Sequence, residues 1–141
     1  MKIALTQARR GLYSERREVP VGAIVVDEAG AVIARTHNIV EARHNALMHA
    51  EVIALGRAMR RLGEKYLMNC TMYVTLEPCP MCMTAISLAK LGRLVYGASD
   101  ENGGGMFVLE RQHFFCPQIV GGVCEEEASM LLKNFFKTLR A

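Results

Sequence analysis

His49, Glu51, Cys79 and Cys82 are the residues of this sequence best equipped for chemistry. They sit in two short segments, His49-Ala50-Glu51 and Pro78-Cys79-Pro80-Met81-Cys82. An imidazole and two thiolates fill three positions of a tetrahedral zinc ion, and the open fourth position is where such a metal works. Zinc held this way lowers the pKa of its water toward neutrality. Glu51 is not needed as a ligand, so it is free to take that proton and pass it to a substrate. Together the two segments describe a hydrolytic zinc site, in which water is delivered to an electrophilic carbon. Each half of the motif is ambiguous alone. A Cys-x-x-Cys pair also builds structural zinc ribbons, whose fourth ligand here would be His37, His44, His113 or Cys70. It also builds thioredoxin-like redox sites. The first alternative leaves Glu51 and Pro78 unexplained, and the second leaves His-x-Glu unexplained.

These side chains meet only if their elements bring them together. Inside a helix, an i, i+2 pair points about 200° apart. His49 and Glu51 therefore make sense at a helix start, where both reach the same space. Pro80 suits the first turn of a second helix, which puts Cys79 and Cys82 at its beginning. Free N–H groups and positive dipole there favour thiolate. The 30 residues from His49 to Cys79 accommodate one helix and one strand, enough to set the second helix start beside the first.

The rest of the pattern supplies that frame. Residues 2–14 read as a helix, with Leu5, Ala8 and Leu12 at helical spacing, stopped by Glu18-Val19-Pro20. Val21 to Asp27 and Ala31 to Thr36 read as a hairpin around Glu28-Ala29-Gly30. Residues 37–47 look irregular. A helix follows from His49 to Leu62, with Gly63 past its end. Strands at Cys70–Leu76 and Leu94–Ala98 flank a helix from Pro80 to Leu91. Asp100 to Pro117 reads as loop with one short helix, Gln118 to Gly121 as a short strand, and 125–139 as a last helix. Alternating strands and helices after the hairpin imply parallel pairing in a central mixed sheet covered by helices on both faces. Nothing suggests a second domain, so 1–141 is expected to be one.

Composition sets the class. The 141 residues are 51% hydrophobic and 22% charged, without tryptophan. No apolar run reaches the roughly 18 residues of a bilayer span, and the first ten residues lack a signal-peptide pattern. A cytoplasmic protein without membrane contact is expected. Five cysteines, two of them in Cys-x-x-Cys, favour metal ligation over disulfides. Cys70, Cys116 and Cys124 read as small buried residues or free thiols. A net charge of +3 is modest. The basic residues cluster, however, at Arg9–Arg17, Arg57–Lys65 and Lys133–Arg140, and convergence of these clusters would suit a polyanion.

The chain resembles the cytidine-deaminase-like superfamily, whose zinc enzymes share the H-x-E…P-C-x-x-C signature. Within it, the chain looks like the bacterial tRNA-specific adenosine deaminases. The likeness runs through Arg17-Glu18-Val19-Pro20-Val21-Gly22-Ala23, Asn38, Met48-His49-Ala50-Glu51-Val52 and Tyr73-Val74-Thr75-Leu76-Glu77-Pro78-Cys79-Pro80-Met81-Cys82. It continues in Gly92–Asp100 and Leu131–Phe136. It departs at Asn45-Ala46-Leu47-Met48, where many relatives have Asp-Pro-Thr-Ala, and at Asn102-Gly103-Gly104-Gly105, where relatives often carry Lys. The resemblance implies a three-layer α/β/α sandwich and one zinc per chain on His49, Cys79 and Cys82, with Glu51 as proton shuttle. It implies that Asn38 binds the nucleoside, Val21 packs on the base, and the Ala50 N–H meets its edge, with Pro78 also at the substrate. It further implies a homodimer acting on a tRNA anticodon loop, with no DNA, and converting the wobble adenosine to inosine. The alternative is a free nucleobase or nucleoside deaminase of guanine or cytosine type. A module that keeps zinc and only positions RNA would have no use for Glu51. On the closing helix, Phe135 and Phe136 are both expected on a core stripe with Ala128, Leu132 and Leu139.

Overall fold

A computed structural model describes residues 1–141. Five helices, β1–β5 and one 3-10 turn follow in the order α1 (Lys2–Leu12), β1 (Gly22–Val26), β2 (Val32–His37), α2 (Val40–Arg43), α3 (Ala50–Leu62), β3 (Thr71–Leu76), α4 (Pro80–Leu88), β4 (Arg93–Ala98), the 3-10 turn (Met106–Glu110), β5 (Gln118–Val120) and α5 (Glu125–Leu139). The strands form one sheet in the order β2-β1-β3-β4-β5. β1 is antiparallel to both β2 and β3, whereas β3–β4 and β4–β5 are parallel. β2 and β3 therefore run the same way, with β1 between them and α3 as their crossover. The expected mixed sheet is present.

Helices cover both faces. α1 packs on β1, β2 and β3 and touches α5, which lies on β3 and β4. α3 covers β1 and β2 and contacts α4. The main core lies under α3 and α4, where Ala54, Leu55, Met83 and Ile86 meet Val25, Met72, Val74 and Leu94. A smaller cluster of Leu5, Ala98 and Ala128 lies under α1 and α5. This is the three-layer α/β/α sandwich. Gly22 permits the close approach of α1, because a Cβ there would overlap the Ala4 carbonyl oxygen and the Ala8 nitrogen.

Three expectations need correction. The stretch read as irregular contains α2, because the buried Glu18 carboxylate accepts the Glu41 and Ala42 N–H groups at its start. A carboxylate on orphan amides is a strong helix cap. On α5, Phe135 is buried, but Phe136 is 43% and Leu139 61% exposed. The stripe narrows because α5 packs on β3 and β4 and touches α1 along one side, while no element covers the face that carries Phe136 and Leu139. The basic clusters do not all converge. The first and third meet where α1 and α5 adjoin, with Arg17 donating to Thr138 at 3.2 Å, while Arg57 to Lys65 lie on α3 or just past it, in the opposite layer.

Candidate metal and active site

The site forms at the carboxyl ends of the parallel strands β3 and β4, where open α/β sheets bind ligands. His49 is the extended residue just before α3, and Glu51 is in its first turn. Cys79 holds the same position before α4, Pro80 opens that helix, and Cys82 follows one turn in. Both helix starts fall where the sequence placed them. The i, i+2 spacing works because His49 lies outside the helix and Glu51 inside it.

Nδ1 of His49 lies 3.7 Å from Cys79 Sγ and 3.5 Å from Cys82 Sγ. These three ligand atoms all lie within 4.8 Å of one another, and no other His, Cys, Asp or Glu joins a cluster of this kind. His37, His44, His113 and Cys70 therefore do not close a four-ligand structural site. An imidazole nitrogen with two thiolates fits zinc. Glu51 is only 3% exposed, and its Oε2 has no hydrogen-bond partner. A buried acceptor left unpaired is costly, and a polarised water beside the metal cluster would satisfy it. The residues present thus fit a catalytic metal.

The protonation states agree with a site built for a cation. A hydrogen bond from the Cys82 thiol and another from His49 hold Cys79 down to about 4, against burial. Cys82 is pushed far above the usual thiol range by donating to Cys79 and by burial. His49 is raised, chiefly through its hydrogen bond with Cys79. Burial raises Glu51. Without a metal, the thiols must share a proton that a bound cation displaces.

A cavity of about 230 Å³ opens on this cluster. Val21, Asn38, His49, Glu51 and Cys79 line it, so the structure brings most of the expected site together. Ala50 and Pro78 are buried and do not line it. The Ala50 N–H, expected to face a base, donates to Asn38 Oδ1 at 2.9 Å. The Pro78 carbonyl accepts the Gly105 N–H at 2.9 Å. Using its oxygen as the cap of α3 leaves Asn38 its NH2 group for a ligand. Sequence reasoning missed Glu18, Glu77 and Asp100, which also line the cavity. Glu77 lies within the Tyr73–Cys82 motif, but its contact with Asp100 spans 23 residues and has no local signal. A larger hollow of about 670 Å³ lies beside Leu62 to Cys70, at the other end of β3, and holds none of these groups.

A His-Cys-Cys cluster able to hold a metal, beside a buried carboxylate on this sandwich, suits a hydrolytic enzyme, and the relatives are deaminases. The chain belongs to the MafB19-like deaminase family, whose model matches residues 1–140. It is similar along its length to the tRNA-specific adenosine deaminase of Rickettsia felis, at 41% identity over 99% of this chain and 100% of the relative. It superposes with a TM-score of 0.85 on a structure from work on A-to-I editing by tRNA:A34 deaminases, at 39% identity over 94% of this chain and 97% of that one. Guanine deaminase from Nitrosomonas europaea shares the fold, with a TM-score of 0.81 at 23% identity over 95% of this chain and 81% of that one.

Proposed function

We propose that this chain, acting as one deaminase domain over residues 1–141, converts the wobble adenosine of a tRNA anticodon to inosine. The observation that carries the chemistry is the unpartnered, buried Oε2 of Glu51 beside the His49, Cys79 and Cys82 cluster. His49, Cys79 and Cys82 hold one zinc ion per chain. When bound, the ion supplies Lewis acidity that makes water nucleophilic near neutral pH. Glu51 would move two protons in turn, the first from the attacking water to the ring nitrogen and the second from the new C–OH group to the departing amine, which leaves as ammonia. Burial raises Glu51, which suits a group that must both accept and release a proton. Asn38 offers its NH2 group to the nucleoside, and Val21 packs on the base.

The RNA reading is supported by the named relatives and by charge. No Lys or Arg lines the cavity, and carboxylates do, so it suits a neutral base rather than a phosphate. The basic groups of α1 and α5 lie outside it; Lys2 and Arg9 pair with Glu127, and the others remain for a polyanion backbone. The anticodon loop presents its bases already splayed, which lowers the cost of extracting one. Homodimerisation and a cytoplasmic setting complete the reading. No helix is long and apolar enough to cross a membrane. A guanine or cytosine deaminase is the second reading, because the guanine deaminase fold accommodates the same sandwich.

Glu51→Ala tests the mechanism. It is expected to keep its metal and its fold while losing about three orders of magnitude or more in ammonia release. Metal analysis with stopped-point ammonia assays checks this. Turnover near that of the parent protein removes Glu51 from the reaction.

A further inference from the structure

Among the carboxylates at the cavity that the chemistry above does not use, Glu77 joins two segments of its wall. Glu77 continues β3, and its N–H donates to the Ala98 carbonyl at 2.8 Å. Its side chain lines the cavity, and Oε2 accepts the Asp100 N–H at 2.9 Å. Asp100 starts a turn closed by the Gly103 N–H on the Asp100 carbonyl at 2.9 Å. The chain then comes back onto the Glu77-Pro78-Cys79 turn, where the Gly105 N–H donates to Pro78. Neither Gly104 nor Gly105 has room for a side chain. A Cβ on Gly104 would overlap the Glu77 carboxylate, and one on Gly105 would lie 2.6 Å from the Cys79 carbonyl carbon and oxygen. The glycine run thus lets backbone lie directly against the turn that carries one of the metal-binding thiols.

We propose that Glu77 is a positioning residue: with Gly104 and Gly105 it fastens the Asp100–Gly105 segment onto the Pro78–Cys79 turn, fixing one wall of the substrate cavity. This rests on the deaminase reading above and deepens it. The fastening needs an acceptor at Oε2, not a charge acting on the substrate. Glutamine keeps an acceptor oxygen of the same reach, and alanine removes it. The base is held by the wall, while the phosphates are held elsewhere. Loss of the fastening therefore lowers turnover without weakening the grip on RNA.

The test is amide hydrogen exchange of metal-loaded parent, Glu77→Ala, Glu77→Gln and Gly105→Ala proteins, read at Asp100 and Gly105, beside kcat and binding of an anticodon stem-loop. In Glu77→Ala, the Asp100 amide is expected to exchange at least about tenfold faster, as for loss of a bond to a charged acceptor. Its kcat is expected to fall by about tenfold to a hundredfold, the usual consequence of small misplacement, with stem-loop affinity unchanged. Glu77→Gln restores most of both. Gly105→Ala, which touches no charge, also deprotects Asp100 and lowers kcat, so the inference stays open to test if Glu77→Ala fails to fold. Parent-like protection of Asp100 in Glu77→Ala overturns the proposal. So does a Glu77→Gln protein as slow as Glu77→Ala, which would assign the charge itself a role. If the parent releases no ammonia from any stem-loop, the substrate reading fails, while exchange at Asp100 still decides the fastening.

Discussion

At the scale of single residues, the site depends on where two short motifs meet their helices. Cys79 sits before a proline-initiated helix and beside a second thiol and an imidazole. Those neighbours, rather than exposure, make it acidic. In chelated, metal-free protein, Cys79 is expected to remain a thiolate at neutral pH. Its alkylation rate, followed residue by residue by mass spectrometry, should hold down to about one unit above its pKa of about 4 and fall only as pH passes through that value. The sign follows from the lowered pKa: the reactive form persists above about 4 and is lost below it. Added zinc should protect both Cys79 and Cys82. A Cys79 rate that rises only above about pH 8, as for an ordinary thiol, contradicts the geometry.

At the scale of elements, the frame that sets these residues is tight where glycine stands. Gly22→Ala is expected to push α1 from β1, because the added Cβ has the backbone of Ala4 and Ala8 in its way. A loss of about 1–3 kcal/mol or more, measured by urea unfolding, is the cost of such overpacking. An unchanged midpoint would mean that α1 is not seated as described. Much of this frame was legible in the sequence. Apolar periodicity and Gly63 mark α3 and its end, and Pro80 marks the start of α4, all by local signals, whereas α4 stops at Leu88, short of the expected Leu91. The starts of the two helices then place His49, Glu51, Cys79 and Cys82 without further information. What was not legible depends on distant partners. α2 forms because Glu18, 23 residues before Glu41, caps it. The Ala50 N–H is taken by Asn38, so its expected base contact meets a competitor. Phe136 has the spacing of a core residue, yet no element covers it.

At the scale of the molecule, charge divides the surface from the site. The cavity is lined by carboxylates, and the basic residues of α1 and α5 lie outside it. A substrate with a neutral reacting base on a polyanionic backbone matches that division, and a free base uses only half of it. Each phosphate contact releases condensed counterions, so RNA binding should weaken steeply with salt, whereas free-base turnover should not. The most direct measurement is ammonia and inosine formation from an adenosine-bearing anticodon stem-loop, set beside free guanine and cytosine, from about 50 to about 300 mM salt. The expected result is inosine at the wobble position, steep loss of stem-loop binding as salt rises, and no turnover of the free bases. Rapid turnover of free guanine or cytosine, with a stem-loop that neither binds nor reacts, would contradict the RNA reading and leave a free-base deaminase in its place.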